Sequence, residues 1–213
     1  MSKRIMLLGD SWRWIYQSAV RASLGDNYTV WTPEDENCRF ARYTLNSLRM
    51  YVTAFPDAEV VHFNCGMWDI GRINGEDTPF TPLDEYIRDL EKIVLFLRKR
   101  GAKVLFATTG TVKKACSLDR FPYASVFNED IKRYNAAAVE LMNRLGVPVT
   151  DIEGAFDGHE EELIGDDAIH PTAEGTAICA DLVADAIRKA CGDIETGKKT
   201  DAADVKAVDV ITA

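Results

Sequence analysis

Short apolar runs alternate with longer segments of helical periodicity along most of this chain. Buried strands are short and apolar, whereas helices repeat apolar residues at intervals of three and four. This alternation is typical of a parallel sheet whose strands are joined by helices through right-handed crossovers. The strands are predicted at Ile5–Leu8, Tyr28–Trp31, Glu59–Phe63, Val104–Ala107 and Val147–Ile152. The sequence therefore predicts an α/β fold, a three-layer α/β/α sandwich with a five-stranded parallel sheet.

One predicted helix carries both start and stop signals. Thr81 is a candidate N-cap, Pro82 occupies the first helical position and Asp84 the third, as at many helix N-termini. Its apolar stripe consists of Leu83, Ile87, Leu90, Val94 and Leu97. Gly101 ends the helix. The other helices are predicted at Trp12–Leu24, Tyr43–Phe55, Ile131–Leu145 and Pro171–Cys191.

Length and charge limit the domain organisation and the partners. The 213 residues suit one domain, residues 1–192, followed by a polar tail, residues 193–213. The 34 acidic residues outnumber the 25 basic residues, which gives a net charge of -9. Nucleic acids and anionic membranes bind clustered positive surfaces. We therefore expect neither a nucleic-acid partner nor a membrane partner.

The cysteines and the N-terminal residues indicate in which cellular compartment the protein is expected. The five cysteines are widely spaced, odd in number and lack a C-x-x-C pair, so neither a disulfide framework nor a structural zinc site is expected. The apolar run Ile5–Leu8 is too short for a signal peptide, and no later stretch approaches the length of a membrane span. These features favour a cytoplasmic location.

A serine follows the first predicted strand directly. In an open parallel sheet, ligands bind at the carboxyl ends of the strands. Gly9-Asp10-Ser11 stands there and opens a helix, so Ser11 would lie where free backbone N–H groups favour negative charge. Asp10 and Ser11 are also common helix caps. Taken alone, this fragment is compatible with a cap or with a nucleophile.

A second group of polar residues precedes the last predicted helix. Asp167 stands three positions before His170, so its carboxylate can accept a hydrogen bond from Nδ1–H and leave Nε2 free for a serine hydroxyl. The expected sheet order brings this loop to the same crevice as Ser11. The chain has two further histidines, His62 and His159. His62 lies inside a predicted strand, where a structural role is expected.

The two groups together resemble a known family. Gly9-Asp10-Ser11-Trp12 and Asp167-Ala168-Ile169-His170 are similar to the first and last sequence blocks of the GDSL or SGNH hydrolases. The resemblance extends from residue 5 to about residue 191 and implies a flavodoxin-like sandwich with esterase, lipase, thioesterase or carbohydrate deacetylase activity. It implies Ser11 as the nucleophile and an oxyanion donor, His170 as the general base and acid, and Asp167 as the orienting carboxylate. No metal or organic cofactor is implied.

Two other blocks depart from the family pattern. Arg39 stands in Asn37-Cys38-Arg39 where the family usually has a glycine whose N–H binds the oxyanion. Because any residue except proline has a backbone N–H, Arg39 can still donate. Trp68 stands in Gly66-Met67-Trp68-Asp69 where the family has an oxyanion asparagine. Asn64, at the same strand end, is the candidate replacement, and a turn residue is the alternative interpretation.

The aromatic residues and the absence of a long apolar insertion favour small substrates. Trp12 and Trp68 are candidate substrate-binding residues, and packing aromatics are the alternative. No long apolar insertion is present that could form an acyl tunnel. We therefore expect a serine esterase for short acyl esters, above all acetyl esters, with acetylated carbohydrates or other small molecules as substrates. A lysophospholipase or thioesterase of the same family is the alternative.

Two functions outside this family are alternatives. The residues from His159 to His170 include several carboxylates and two imidazoles, which could bind a divalent metal, but no H-E-x-x-H spacing is present. Thr108-Thr109-Gly110-Thr111 superficially resembles a phosphate-binding loop of a flavodoxin-like, non-enzymatic module. It lacks the P-loop lysine and the dinucleotide glycine pattern. Both functions are less favoured than the serine esterase.

Overall fold

The expected three-layer architecture is present in a computed structural model, which describes residues 2–114 and 124–193. The strands are β1 (Lys3–Leu8), β2 (Tyr28–Trp31), β3 (Val60–Asn64), β4 (Arg72–Ile73), β5 (Lys103–Ala107), β6 (Ala124–Ser125) and β7 (Val149–Thr150). The helices are α1 (Ser11–Leu24), α2 (Ala41–Ala54), α3 (Met67–Ile70), α4 (Leu83–Arg98), α5 (Asn128–Leu145), α6 (Ile152–Phe156), α7 (Glu160–Leu163) and α8 (Ala173–Cys191). Five strands form one parallel sheet in the order β2-β1-β3-β5-β7. The predicted fold class is confirmed.

Helices cover both faces of the sheet. α1 packs against α8 on one face, and α4 packs against α2 and α5 on the other. The internal strand β1 is fully buried from Ile5 to Leu8, as expected of a strand with helices on both sides. Apolar burial between these layers is the main stabilising contribution, at roughly 25 cal/mol per Å² of apolar surface removed from water.

The strand register brings the carboxyl ends of the central strands to the same level. Leu8 of β1 pairs with Phe63 of β3, and Asn64 of β3 pairs with Ala107 of β5. The residues that follow β1, β3 and β5 therefore meet at one edge of the sheet. This edge is the crevice in which the sequence places Ser11.

Three local predictions need correction. The strand expected over Val147–Ile152 is reduced to Val149–Thr150, because the Asp151 side chain caps α6 and turns the chain away. Thr81 does not cap α4. It is buried, and its backbone N–H donates to the Asp69 carbonyl at 2.9 Å. α8 begins at Ala173, with Thr172 as its N-cap.

The two ends of the described chain meet at the opposite end of the sheet from this crevice. Lys3, at the start of β1, donates from Nζ to the Asp193 carboxylate at 2.6 Å. The Tyr28 hydroxyl donates to the same carboxylate at 2.5 Å. The remainder of the predicted tail, residues 194–213, lies outside the described residues, so the domain boundary stays a prediction.

Two further findings concern the whole described chain. Within residues 2–114 and 124–193, no helix combines the length and the apolar character needed to cross a membrane. Cys38, Cys65, Cys179 and Cys191 are free thiols. Cys116 lies outside the described residues.

Candidate active site

The turn between β1 and α1 presents Ser11 at the edge of the sheet. Asp10 caps α1, because its Oδ1 accepts the Trp12 N–H at 3.1 Å. Gly9 has φ +156°, and a Cβ atom there would lie 1.9 Å from the Asn64 Oδ1. Glycine is therefore required for the turn to close over Asn64. Ser11 is the first helical residue, so its N–H has no acceptor within the helix.

Ser11, His170 and Asp167 form one hydrogen-bonded chain. The His170 Nδ1 lies 2.6 Å from the Asp167 Oδ2, and the His170 Nε2 lies 2.8 Å from the Ser11 Oγ. An ionised carboxylate can only accept hydrogen bonds, so Nδ1 carries a proton, and an imidazole with this single proton has Nε2 as the acceptor for the serine hydroxyl. The structure thus brings together all three residues to which the sequence assigned a catalytic role.

The Asp167 carboxylate also shapes the loop that carries His170. Its Oδ1 accepts the Ile169 N–H at 3.0 Å and the His170 N–H at 2.9 Å. Partial burial alone would raise the pKa of Asp167, but the hydrogen bonds from the His170 side chain and from these two N–H groups lower that pKa to about 2. The carboxylate therefore stays ionised at neutral pH. A single side chain orients both the imidazole and its loop.

Trp12 lies beneath the site and does not line it. Its side chain is 3% exposed, its ring packs 5.2 Å from the Phe156 ring, and it covers Gly110 so closely that a Cβ there would meet it at 2.1 Å. The indole Nε1–H donates to the Ile169 carbonyl at 3.1 Å. The expectation that Trp12 contacts substrate is therefore corrected. Trp12 anchors the loop that holds His170.

Asn64 is also buried beneath the reacting groups. Its Nδ2 donates to the Asp10 Oδ1 at 2.8 Å, and its Oδ1 accepts the Tyr16 hydroxyl at 3.2 Å. Burial raises the pKa of Asp10, although the bonds from Asn64 and Trp12 oppose the rise. Asn64 is 4% exposed. The expected oxyanion role of Asn64 is corrected, because its carboxamide is engaged in supporting Asp10.

The loop from Asn37 to Arg39 also differs from expectation. The Arg39 backbone has φ +49°, the left-handed region that glycine adopts without strain. Its N–H donates to the Asn37 Oδ1 at 2.9 Å, and its exposed guanidinium lies 5.1 Å from the Tyr43 ring centre. The expectation that the Arg39 N–H binds the oxyanion is corrected, because Asn37 already accepts that bond.

A largely apolar cavity of about 220 Å³ opens beside the catalytic groups. Trp68 lines it, as does Met67 before it, at the start of α3. The short antiparallel pair β4–β6 supplies Ile73 and Ala124. The full lining consists of Ser11, Asn37, Met67, Trp68, Gly71, Ile73, Ala124, Val126, Ile169 and His170. The position of Trp68 is compatible with the substrate-contacting role expected of it.

The alternative sites from the sequence do not assemble in the described residues. Within residues 2–114 and 124–193, no three His, Cys, Asp or Glu side chains are grouped to hold a metal ion. The backbone N–H of Thr109, in the loop considered for phosphate binding, donates to the Asn135 Oδ1 at 2.9 Å. His62 is buried, with Nε2 3.1 Å from the Thr150 Oγ1, and burial lowers its pKa to about 3. A structural role fits this histidine.

Several residues that line the cavity were not predicted from the sequence. Asn37 belonged to a motif that directed attention to the N–H of Arg39. Ile73, Ala124 and Val126 come from short segments around β4 and β6, which carry no periodic signal because each strand has two residues. The pairing of Arg72–Ile73 with Ala124–Ser125 is what brings these side chains together.

Comparison with known proteins relates this geometry to a family. The model of the GDSL-like lipase/acylhydrolase family matches residues 8–178. A curated GDSL esterase/lipase of Arabidopsis thaliana, CPRD49, is 29% identical over 120 residues, which cover 53% of this chain and 47% of that protein. The chain thus matches about half the length of this relative.

Solved structures share the fold at low sequence identity. An acetyl xylan esterase, AlAXEase, superposes with a TM-score of 0.71 at 17% identity, covering 86% of this chain and 99% of its own. A carbohydrate acetylesterase family member from Sinorhizobium meliloti has a TM-score of 0.71 at 14% identity, covering 89% and 99%. At such identities the likeness shows the fold alone.

Proposed function

Because the chain belongs to the GDSL-like lipase/acylhydrolase family, we propose that it hydrolyses carboxylic esters through an acyl-enzyme on Ser11. The observation that carries this proposal is the hydrogen-bonded chain from Asp167 through His170 to Ser11. A neutral imidazole held this way is positioned to take a proton from the serine as it attacks a carbonyl carbon. The family is described as one of lipases and acylhydrolases, which agrees with this geometry.

Each step of the proposed reaction is assigned to a group of the candidate site or to water. The Ser11 Oγ bonds to the ester carbonyl carbon while its proton passes to the His170 Nε2, and Asp167 stabilises the imidazolium. The carbonyl electrons move to oxygen, next to the Ser11 N–H at the helix N-terminus. The carbon–oxygen bond to the alcohol then breaks, and the alcohol leaves with the proton from Nε2. Water repeats the sequence on the acyl-enzyme and releases the acid.

The cavity suits the acyl part of such a substrate. It touches Ser11 and His170 and is lined elsewhere mainly by apolar side chains, including Met67 and Trp68. A water-sized group needs about 10–15 Å³ of comparable space, so the cavity accepts an acetyl group and has room for longer acyl chains. We propose acetyl and other short acyl esters as the substrate class.

Two candidates remain for the alcohol part. Structures of the same fold include proteins named as an acetyl xylan esterase and a carbohydrate acetylesterase, which supports acetylated carbohydrates. The apolar cavity favours the second candidate, a lipolytic enzyme for longer acyl chains. The net charge of -9 opposes binding to anionic phospholipid surfaces. We therefore place the acetylated carbohydrate or small-molecule ester first, with no nucleic-acid or membrane partner.

A panel of p-nitrophenyl esters from acetate to decanoate, together with acetylated xylan oligosaccharides, tests this proposal. Wild type should hydrolyse the short esters, and Ser11→Ala should lose turnover while keeping its thermal unfolding temperature. Ser18→Ala, an exposed serine of the same helix, is the matched control and should retain wild-type activity. Retained turnover in Ser11→Ala would exclude Ser11 as the nucleophile. A maximum at decanoate would favour the lipolytic candidate.

A further inference from the structure

The oxyanion of the proposed reaction lacks a side-chain donor from the residues that the family motifs point to. Trp68 stands where the family has asparagine. The Asn64 amide donates to Asp10, and the Arg39 N–H donates to Asn37. Losing one oxyanion donor typically costs about a hundredfold or more in kcat. A replacement donor is therefore expected at the wall of the cavity near Ser11.

The loop that contains Asn37 is tied directly to the turn that contains Ser11. The Cys38 N–H donates to the Gly9 carbonyl at 3.1 Å. The buried Arg13 guanidinium donates to the carbonyls of Gly9 and Glu36, at 3.3 and 2.5 Å. Both neighbours of Asn37 are thus held to Gly9 or to its partner Arg13. A donor carried on this loop is positioned before substrate binds, which is the condition for efficient electrostatic stabilisation.

Of the two polar atoms in the Asn37 carboxamide, one is hydrogen-bonded within the described residues and the other is not. Its Oδ1 accepts the Arg39 N–H at 2.9 Å, and because only the oxygen can accept, this bond fixes which end of the amide is Nδ2. Nδ2 makes no hydrogen bond to any atom of residues 2–114 or 124–193. Asn37 lines the same cavity as Ser11 and His170.

We propose that the Asn37 Nδ2 donates a hydrogen bond to the oxyanion and, with the Ser11 N–H, forms the oxyanion hole of this chain. The inference rests on the proposed function, since it assigns a catalytic residue to that reaction. The hydrogen bond from the Arg39 N–H then has a purpose, because it fixes the Asn37 carboxamide and leaves Nδ2 as its donor. The donor has moved from the position of Trp68, after β3, to the loop after β2.

Two variants of Asn37 test hydrogen-bond donation by its side chain separately from its role in the loop conformation. Asn37→Ser keeps an oxygen that can accept the Arg39 N–H in a serine turn, carries no charge and replaces the Nδ2 donor by a hydroxyl on a shorter side chain. Asn37→Asp keeps the acceptor with the native shape but adds a charge. Asn46→Asp, an exposed residue of α2, is the control for added charge. All three are compared with wild type for kcat, KM and thermal unfolding on p-nitrophenyl acetate.

Methylboronic acid supplies a readout that a structural role would not move. Its boron accepts the Ser11 Oγ while the serine proton passes to His170, and the resulting tetrahedral boronate anion places a boron-bound hydroxyl oxygen at the oxyanion position. We expect both Asn37 variants to lose about a hundredfold or more in kcat, with a parallel loss of methylboronic acid affinity and little change in KM or unfolding temperature. Asn46→Asp should match wild type in every measurement.

Other results would overturn the inference. Wild-type kcat in both Asn37 variants, or lowered kcat with unchanged methylboronic acid affinity, would show that Asn37 is not a donor. Trp68→Phe removes the indole N–H, and if it alone lowered boronate affinity, the donor would be Trp68. If wild type hydrolysed none of the esters, the proposed function would fail, but boronate affinity at Ser11 would still report whether Asn37 donates.

Discussion

Asn64 donates a 2.8 Å hydrogen bond from Nδ2 to the Asp10 carboxylate, immediately behind the serine turn. The Tyr16 hydroxyl completes this buried group by donating to the Asn64 Oδ1 at 3.2 Å. Buried polar groups are costly when they lose a partner. The bond between these two residues therefore links the end of β3 to the turn that positions the nucleophile.

Replacement of Asn64 should lower stability. Asn64→Leu has a similar shape but leaves the Asp10 carboxylate and the Tyr16 hydroxyl each without one partner. We expect the free energy of unfolding to fall by about 1–3 kcal/mol, measured by urea denaturation. Asn143→Leu, an exposed asparagine of α5, should change it by less than about 0.5 kcal/mol. An unchanged free energy in Asn64→Leu would show that Asp10 does not depend on this bond.

Asp167→Asn should separate orientation of the imidazole from loop structure. The Asn Oδ1 can still accept the N–H groups of Ile169 and His170, but an amide facing Nδ1 favours the wrong tautomer of the imidazole. We expect kcat on a short ester to fall by about 10⁴, as in triads whose aspartate is changed this way. The unfolding temperature should be little changed.

The neighbouring residue provides the control for that experiment. Asp166 is exposed and lies outside the hydrogen-bonded chain, so Asp166→Asn makes the same change of charge one position away. Its kcat should equal that of wild type. If both variants lost activity equally, the effect of Asp167→Asn would be a general effect of charge on the loop.

The pH dependence of the free energy of unfolding should include a contribution from Asp69. Burial raises the pKa of this carboxyl to about 7, above its ordinary value of 3.8, although the Ala41 N–H and the Thr81 side chain oppose the rise. Between these two pKa values the folded protein binds a proton on Asp69 that the unfolded chain releases. The contribution of protonated Asp69 to stability is therefore full below pH 3.8 and is lost as pH rises through about 7.

Comparison of wild type with Asp69→Asn isolates this contribution. The free energy of unfolding of wild type should decrease relative to that of Asp69→Asn as pH rises from 4 to 7, because the variant keeps an acceptor for the Ala41 N–H but cannot ionise. Urea denaturation at several pH values measures the difference. Asp84→Asn, at an exposed position of α4, should show no such trend. A constant difference between wild type and Asp69→Asn would contradict the shifted pKa.

The sequence predicted the main elements and the catalytic chain because their signals are local. Apolar runs and helical periodicity identified the five parallel strands and the long helices. Ser11, Asp167 and His170 were identified from short motifs, since the carboxyl ends of parallel strands meet at one edge. The elements that were missed are α3, β4, β6, α6 and α7, each of which has five residues or fewer. Such short segments owe their structure to tertiary contacts.

The errors in the site share a different physical cause. Sequence position assigned Trp12, Arg39 and Asn64 to the site, but it did not determine which neighbour each polar group bonds. Trp12 turns its indole N–H to the Ile169 carbonyl, and the Arg39 N–H turns to Asn37. The first choice depends on a contact across 157 positions, and the second on a turn that the Asn37 side chain closes.

The pairing of Lys3 with Asp193 has a practical consequence for handling this protein. Both residues lie at the end of the sheet opposite Ser11, since Lys3 begins β1 and Ser11 follows its other end. A resin, an electrode or a fusion partner joined near either residue would hold the molecule with its reactive edge outward. Attachment there leaves the entrance to the cavity unobstructed, whichever of the two positions carries the tether.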